Sequence, residues 1–401
     1  GLTINSGYTG IEIVQPSSSI PTSVTIDHCI VANNTGDLWA AGILIDGGGT
    51  VDVTQSTIKG STGTGILAGA YADGTQLTIL GSTVQGNGND GVDAYGSNVD
   101  ILNSTMSGNM GAGLYLDYCT GTVDGNTFAQ NQTFRYQGQY SYGDGIQISD
   151  GSIIVKNNIF DSNNQTAVTL APGDATGLGP SVQIVKNTMR KNGFYAIYSN
   201  PSPSALVDSN LIEDNAGGIG LTGGTSALLL NNIIARSTDS SAGNGVAVAG
   251  GSNARIVNNT VYQNTLYGAA LTSGKVTIVN SIVSGSGKGD LLGIGSDSVQ
   301  SSLIGDKSVS GSSILLGDPK LSNPGADDFS LASGSPAIGA GSNAAADLPF
   351  LDYNGRLRVA SDSAVPGQGT VDLGAEEANS AYPLVYPVSY THLTLPTNRE
   401  V

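Results

Sequence analysis

Charge is what this sequence has least of. Only 12% of its 401 residues are Asp, Glu, Lys or Arg, about half the usual share. The few charges lean one way, with 32 acids against 15 bases and a formal net charge of −17. That balance excludes a nucleic-acid binder working through a basic patch and argues against docking on anionic lipid. Histidine occurs only at His28 and His392, which argues against a Ser-His-Asp triad or a His-based zinc site. The two cysteines, Cys29 and Cys119, stand four repeat units apart, on the order of 19 Å along a stack of strands. They are too distant for a disulfide. No apolar run approaches the roughly 18–20 residues of a membrane span, and long Glu/Lys/Leu helical patterns are missing.

What is abundant is glycine, 58 residues, without the G-X-Y period of collagen. The chain repeats itself instead. An apolar anchor closes each N-[TSIL]-apolar step, at Ile30, Ile58, Val84, Met106, Phe128, Phe160, Met189, Ile212, Ile234, Val261, Val283 and Ile304. The minimum unit is about 22 residues, with loops inserted in some copies. Five and seven residues before the anchor, apolar residues at period two mark a short strand, as in Val99/Ile101 and Val276/Ile278. A second strand reads Gly-apolar-x-apolar, as in Gly113-Leu114-Tyr115-Leu116. The anchor sits in a third, very short strand. Two polar columns accompany it. One runs from His28 through Ser56, Asn126 and Asn210 to Ser302, and the other from Asn33 through Asn109 and Asn163 to Lys307. Asn amides stacked at a turn both donate and accept, and His28 reads as a hydrogen-bonding substitute in the first column. Gly is expected to supply the positive φ angles of the corners.

These features resemble the right-handed parallel β-helix of pectate-lyase-like proteins. The resemblance implies an all-β solenoid over residues 1–315, about 12 rungs of three short strands each. Residues 316–380 form a second module. Gly334-Ser335-Pro336-Ala337-Ile338, Asn354-Gly355-Arg356 and Asp372-Leu373-Gly374-Ala375-Glu376 resemble the choice-of-anchor C-terminal region of bacterial surface β-helix proteins. A capping role follows from the need to cover strand edges, with Arg356 or Arg358 pairing with Asp352, Asp372 or Glu376. In the tail, 381–401, the run Ser389–Val401 resembles translated sequencing-adapter sequence and is given no function. The chain starts at Gly1 inside a strand-like pattern, as a fragment or mature chain would.

The middle residue of each Gly-apolar-x-apolar strand points outward. That column reads Glu12, Leu44, Leu67, Asp93, Tyr115, Gln147, Thr169, Tyr198, Gly220, Ala247 and Ala270, so its polar and aromatic stretch is central. The longest insertion lies beside it and holds Arg135, Tyr136, Tyr140, Tyr142 and Asp144. Tyrosine faces stack on sugars, and carboxylates and amides bond hydroxyls. The carbohydrate-binding candidates are therefore Asp93, Tyr115, Asp117, Arg135, Tyr136, Tyr140, Tyr142, Asp144, Gln147, Tyr195 and Tyr198, with Asp174 and Lys191 nearby. Hydrolysis needs paired carboxylates on one face, for which Asp93, Asp117 and Asp144 are candidates. β-Elimination of a uronan needs a base, here Lys156, Arg190 or Arg135, and a neutraliser for the carboxylate, commonly calcium on Asp residues. Asp117, Asp144, Lys156 and Arg190 are thus the catalytic candidates. No metal-ligating motif stands out: Gly88-Asn89-Asp90-Gly91 reads as turn chemistry. The expected partner is a polysaccharide, at the outside or surface of a bacterial cell, and the rival expectation is a non-catalytic adhesin or stalk.

Overall fold

The structure is a computed structural model. It describes residues 1–14, 22–36, 40–69, 74–136, 139–172, 179–202, 204–359 and 369–378. The expectations for Asp174 and for the tail, 381–401, lie outside these residues, as do those for the side chains of Arg135, Tyr136 and Tyr140.

Among the described residues the chain winds into an all-β, right-handed parallel solenoid of about 12 turns. Each turn contributes one strand to each of three sheets. Sheet A has 14 strands, from Thr3–Asn5 to Ile314–Leu316. Sheet B has 12, from Ile11–Val14 to Gly289–Leu292, and sheet C has 12, from Thr22–Asp27 to Val299–Gln300. Pairing is parallel and in register from rung to rung, so Val84 faces Met106, which faces Phe128, which faces Phe160. The interior therefore consists of like-on-like columns. Phe128 and Phe160 stack with centroids 5.1 Å apart at 10°, which contributes roughly 0.5–1.5 kcal/mol beyond the area they bury.

The corner from sheet C into sheet A is the same in every turn. One residue of positive φ is followed by one ladder residue, and then the three-residue strand begins. The twelve positive-φ residues are His28, Gln55, Gly81, Asn103, Gly125, Asn157, Lys186, Ser209, Asn231, Asn258, Asn280 and Ser301, at φ +42° to +70°. Only two are glycine; glycine supplies the positive φ angles mainly at the other two corners, as at Gly86 and Gly108 between sheets A and B and Gly96 and Gly151 between B and C. Neighbouring hydrogen bonds over-determine a conformation that a side chain alone would disfavour.

The ladder beside them is continuous. Asn158 donates its backbone N–H and its Nδ2 to Asn187 Oδ1, at 2.9 and 3.0 Å, and Nδ2 also donates to Val123 O at 2.9 Å. Asn126 does the same toward Asn158. A second ladder on the far side of sheet A links Asn87, Asn109, Asn131, Asn163, Asn192 and Asn215. Glycine is required where this second ladder meets the start of sheet B. A Cβ on Gly91 would lie 2.5 Å from Gly113 O and 2.8 Å from Asn109 Nδ2. No larger residue fits there.

The first rung departs from the expected register by one residue. Ile30 pairs with Thr57 and Val31 with Ile58. Val31 is therefore the buried anchor, and Ile30 is 41% exposed. Cys29, whose N–H donates to Ser56 Oγ at 2.9 Å, holds the ladder position. His28 is a surface corner residue 2.7 Å from Asp27. At the other end the second ladder's last link is from the Ser237 N–H to Asn264 Oδ1 at 3.1 Å, the Ser286 N–H donates to Asp290, and Lys307 is exposed. Cys29 and Cys119 are both free.

The C-terminal module carries a small antiparallel pair, Leu321–Asn323 with Asp328–Leu331. Its cover is lateral. Leu331, Ala337 and Leu373 pack on Ile282 and Leu303, and Phe329 and Ala375 on Ile233 and Ala235, all on the outer face of sheet A. Val309 and Ile314 join the solenoid core at the end of the stack. Arg358 anchors the module, but its carboxylate partner is Glu377, at 2.8 Å, with both side chains buried. Its guanidinium also donates to Asn231 Oδ1 at 2.6 Å. Asp372 instead accepts the N–H groups of Gly339 and Ala378. A second tie is Arg236, which reaches Glu213, Asp214 and Asp327 and lies over the Phe329 ring.

Candidate functional site

Variation in the repeat is confined to the two corners that border sheet B. Insertions between sheets A and B fall at 33–42, 130–145 and 236–245, and those between B and C at 15–21, 69–74, 172–180 and 293–298. Loops held by a rigid scaffold are where binding chemistry concentrates. That makes sheet B the face to build from.

Its outward column matches the sequence reading from Glu12 to Ala270. Asp93 pairs with Tyr115, Tyr115 with Gln147, Gln147 with Thr169, and Thr169 with Tyr198. A second outward column lies two residues on, where Tyr95 pairs with Asp117 and Asp117 with Ser149. Asp93 and Asp117 are thus diagonal neighbours on adjacent strands, close enough for Asp117 to act on the Asp93 carboxyl. Asp90, at the turn before Asp93, completes an acidic group. Its Oδ1 accepts the Ala112 N–H at 2.6 Å.

The electrostatics follow from burial and like charge. Burial, then Asp90, then Asp117, push the Asp93 carboxyl up to about 7. Tyr115 is raised by burial and by Asp117, Asp93 and Asp90, and its hydroxyl bonds the Ser149 side chain. Asp93 is therefore a protonated acid at pH values where an ordinary aspartate is ionised. Asp144 lies deeper, 2% exposed. It accepts the Thr166 N–H at 2.8 Å, and burial raises its carboxyl to about 6. It sits under the face and caps a turn.

Aromatics flank this group on both sides. Tyr95, 43% exposed, meets Tyr118 edge-on at 5.6 Å. Toward the C-terminus, Phe194, Tyr195 and Tyr198 form a cluster, with Tyr195 and Tyr198 stacked at 5.8 Å and 25°. Their rings lie over Gly217 and Gly220, where added Cβ atoms would approach within 2.6 and 3.1 Å. Tyr142, in the long insertion, is 53% exposed. The hairpin of Phe134–Tyr136 with Gln139–Ser141 carries Arg135, Tyr136 and Tyr140.

Two candidate bases lie on other faces. Lys156 ends a strand of sheet C and pairs with Asp124 at 3.4 Å. Arg190 ends a strand of sheet A and pairs with Asp161 at 3.0 Å. No three His, Cys, Asp or Glu side chains converge as metal ligands among the described residues. The sequence reading missed Asp90, Tyr95, Ser149 and Phe194 as members of the face. The second outward column was available from the same period of two.

No helix among the described residues is long and apolar enough to cross a membrane. No curated protein matches the chain in sequence. Among solved structures, the A-module of mannuronan C-5 epimerase AlgE6 from Azotobacter vinelandii aligns at TM-score 0.54 and 16% identity, over 80% of this chain and 91% of the module. The Agl-KA catalytic domain aligns at TM-score 0.50 and 16% identity, over 69% of this chain and 61% of that one. These likenesses establish the fold. Residues 41–178 and 144–304 match the family described as "Right handed beta helix region", about two thirds of the chain. The chain belongs to the right-handed β-helix family.

Proposed function

We propose that this protein binds polysaccharide along sheet B, outside the cell or at its surface, and cleaves glycosidic bonds there with Asp93 and Asp117. The observation that carries this reading is the diagonal pair itself. One carboxyl is held protonated to about pH 7, and the other lies one rung away. Carboxyls pushed to different protonation states by their surroundings divide acid and base roles. Asp93 donates a proton to the departing glycosidic oxygen, and Asp117 takes one from a water on the opposite side of the sugar. An acid and a base acting through a water need their carboxyl groups about 6.5–9.5 Å apart. Inversion at the anomeric carbon is the expected outcome. Tyr95 and Tyr115 supply stacking surfaces. The aligned epimerase module, named for its action on mannuronan, supports polysaccharide as the ligand class.

A second reading, a non-catalytic adhesin or stalk, is favoured by the C-terminal part of the same column. There Gly220, Ala247 and Ala270 offer only small side chains. One assay separates the readings. The protein and its Asp93→Asn variant are incubated with neutral and uronate polysaccharides, following reducing ends, unsaturated products and retardation in glycan-containing gels. Reducing ends released by the parent and not by the variant support hydrolysis. Retardation without release supports the adhesin. Unsaturated products would replace hydrolysis by elimination. Silence in all three measurements refutes both readings.

A further inference from the structure

A second concave site lies away from sheet B, where the C-terminal module meets sheet A. The cavity measures about 450 Å³, within the size range of small-molecule sites. Its floor is apolar and comes from the solenoid: Leu211 and Ile233, the first residues of two adjacent sheet A strands. Most rungs toward the N-terminus place Thr at this position, as at Thr57, Thr83, Thr105, Thr127 and Thr188. Its walls come from the module and are polar. The Asn354 amide donates to Glu376 Oε2 at 2.7 Å, which fixes both groups. Arg356 is held by Asp352 through its backbone and by Glu377 O through its guanidinium at 3.1 Å. Tyr353, Asp327, Asp328 and Ser330 complete the polar wall.

We propose that this cavity is a second glycan site that takes one neutral pyranose unit, its apolar face on Leu211 and Ile233 and its hydroxyls on Asn354, Arg356 and Glu376. The donor set suits vicinal hydroxyls, because a planar guanidinium and an amide–carboxylate pair offer donors and acceptors side by side. The local field disfavours an anion. Burial and the neighbouring Glu376 and Glu213 push the Tyr353 hydroxyl up to about 12. Burial also raises Glu376, against the pull of its bond from Asn354. The floor of two branched aliphatic side chains suits the C–H face of a sugar ring better than a fully hydrated ion.

The site is independent of the sheet B reading, and its test keeps the two apart. Saturation-transfer NMR would measure binding of the methyl glycosides of glucose, galactose and mannose, with glucuronate and glucosamine as charged comparisons. The proteins are the parent, Leu211→Trp to fill the cavity, Asn354→Ala to remove a hydrogen-bonding wall, and Asp93→Asn to alter only sheet B. Thermal midpoints establish that each variant is folded. The expected result is binding of at least one neutral glycoside that weakens tenfold or more in both cavity variants and is unchanged in Asp93→Asn. Asn354→Ala keeps the test valid if Leu211→Trp loosens the module. The proposal is overturned if no neutral glycoside binds, or if only glucosamine or glucuronate does. It is equally overturned if binding survives the cavity variants and disappears in Asp93→Asn.

Discussion

Replacing Asp93 by Asn is expected to stabilise the protein while abolishing its proposed chemistry. The folded state holds this carboxyl at about 7 instead of 3.8. Each pKa unit corresponds to about 1.36 kcal/mol, so the gap is worth about 4 kcal/mol at most. The sign follows from linkage. A folded pKa above the unfolded one means that the folded state binds the proton more tightly. Asp93 therefore costs nothing below about pH 4, destabilises progressively as pH rises from 4 to 7, and costs its full amount above 7. Asn keeps the size and the hydrogen-bonding capacity without the charge. The parent and Asp93→Asn should have equal urea midpoints at pH 4. At pH 8 the variant should be more stable by about 2–4 kcal/mol, with equal m-values so that midpoints convert to free energies. A difference that stays constant from pH 4 to pH 8 would refute the argument, because it would show that the carboxylate is solvated in the folded state. A variant less stable at pH 8 would refute it more strongly. Catalytic groups that a fold would be more stable without are an expected mark of a working site.

Three further outcomes are expected. Asn158→Ala strips partners from the Asn126 N–H and from Val123 O and should cost about 2–6 kcal/mol in denaturant unfolding, at roughly 1–3 kcal/mol per orphaned buried group. Asn158→Ser should cost about half as much, because Ser104 Oγ already serves the Ser82 N–H at 3.0 Å in the same ladder. Glu377→Ala leaves the Arg358 guanidinium buried without its carboxylate, a loss of about 3–5 kcal/mol. Limited proteolysis of that variant should release the module while the solenoid core stays intact. Gly220→Val would drive a side chain into the Tyr195 and Tyr198 rings and should alter near-ultraviolet circular dichroism. It should also weaken glycan retardation if those rings contribute to binding.

The solenoid is legible because its ladder is a column of one residue type at a fixed place, and the cross-rung bonds Asn126–Asn158–Asn187–Asn210 are that column made physical. The outward face of sheet B was equally open to reading, since a period of two fixes the side of every residue once one inward residue is known. The first rung was ambiguous for a definite reason. Ile30 and Val31 are both apolar, and neither His28 nor Cys29 is Asn or Ser. Only the bond from Cys29 to Ser56 selects the register. Lys156 and Arg190 were grouped with the central aromatics by nearness along the chain, but they close strands of sheets C and A and point elsewhere. The sequence offers Asp352, Asp372 and Glu376 as partners of Arg358, whereas Glu377, next to Glu376, is the carboxylate that meets it.

The constant corner between sheets C and A has a consequence for how such a chain can change. That corner holds the rhythm of the winding, while every lengthening of the turn falls on one of the two borders of sheet B. New residues therefore arrive already facing the same surface. They leave the column registers on either side of them as they were. A graft of a foreign loop at 130–145 or 172–180 should change what the surface recognises, with the unfolding midpoint of the stack left near its parent value. In this architecture the parts that keep time and the parts that make contact are written in separate segments, so one can drift while the other stays in step.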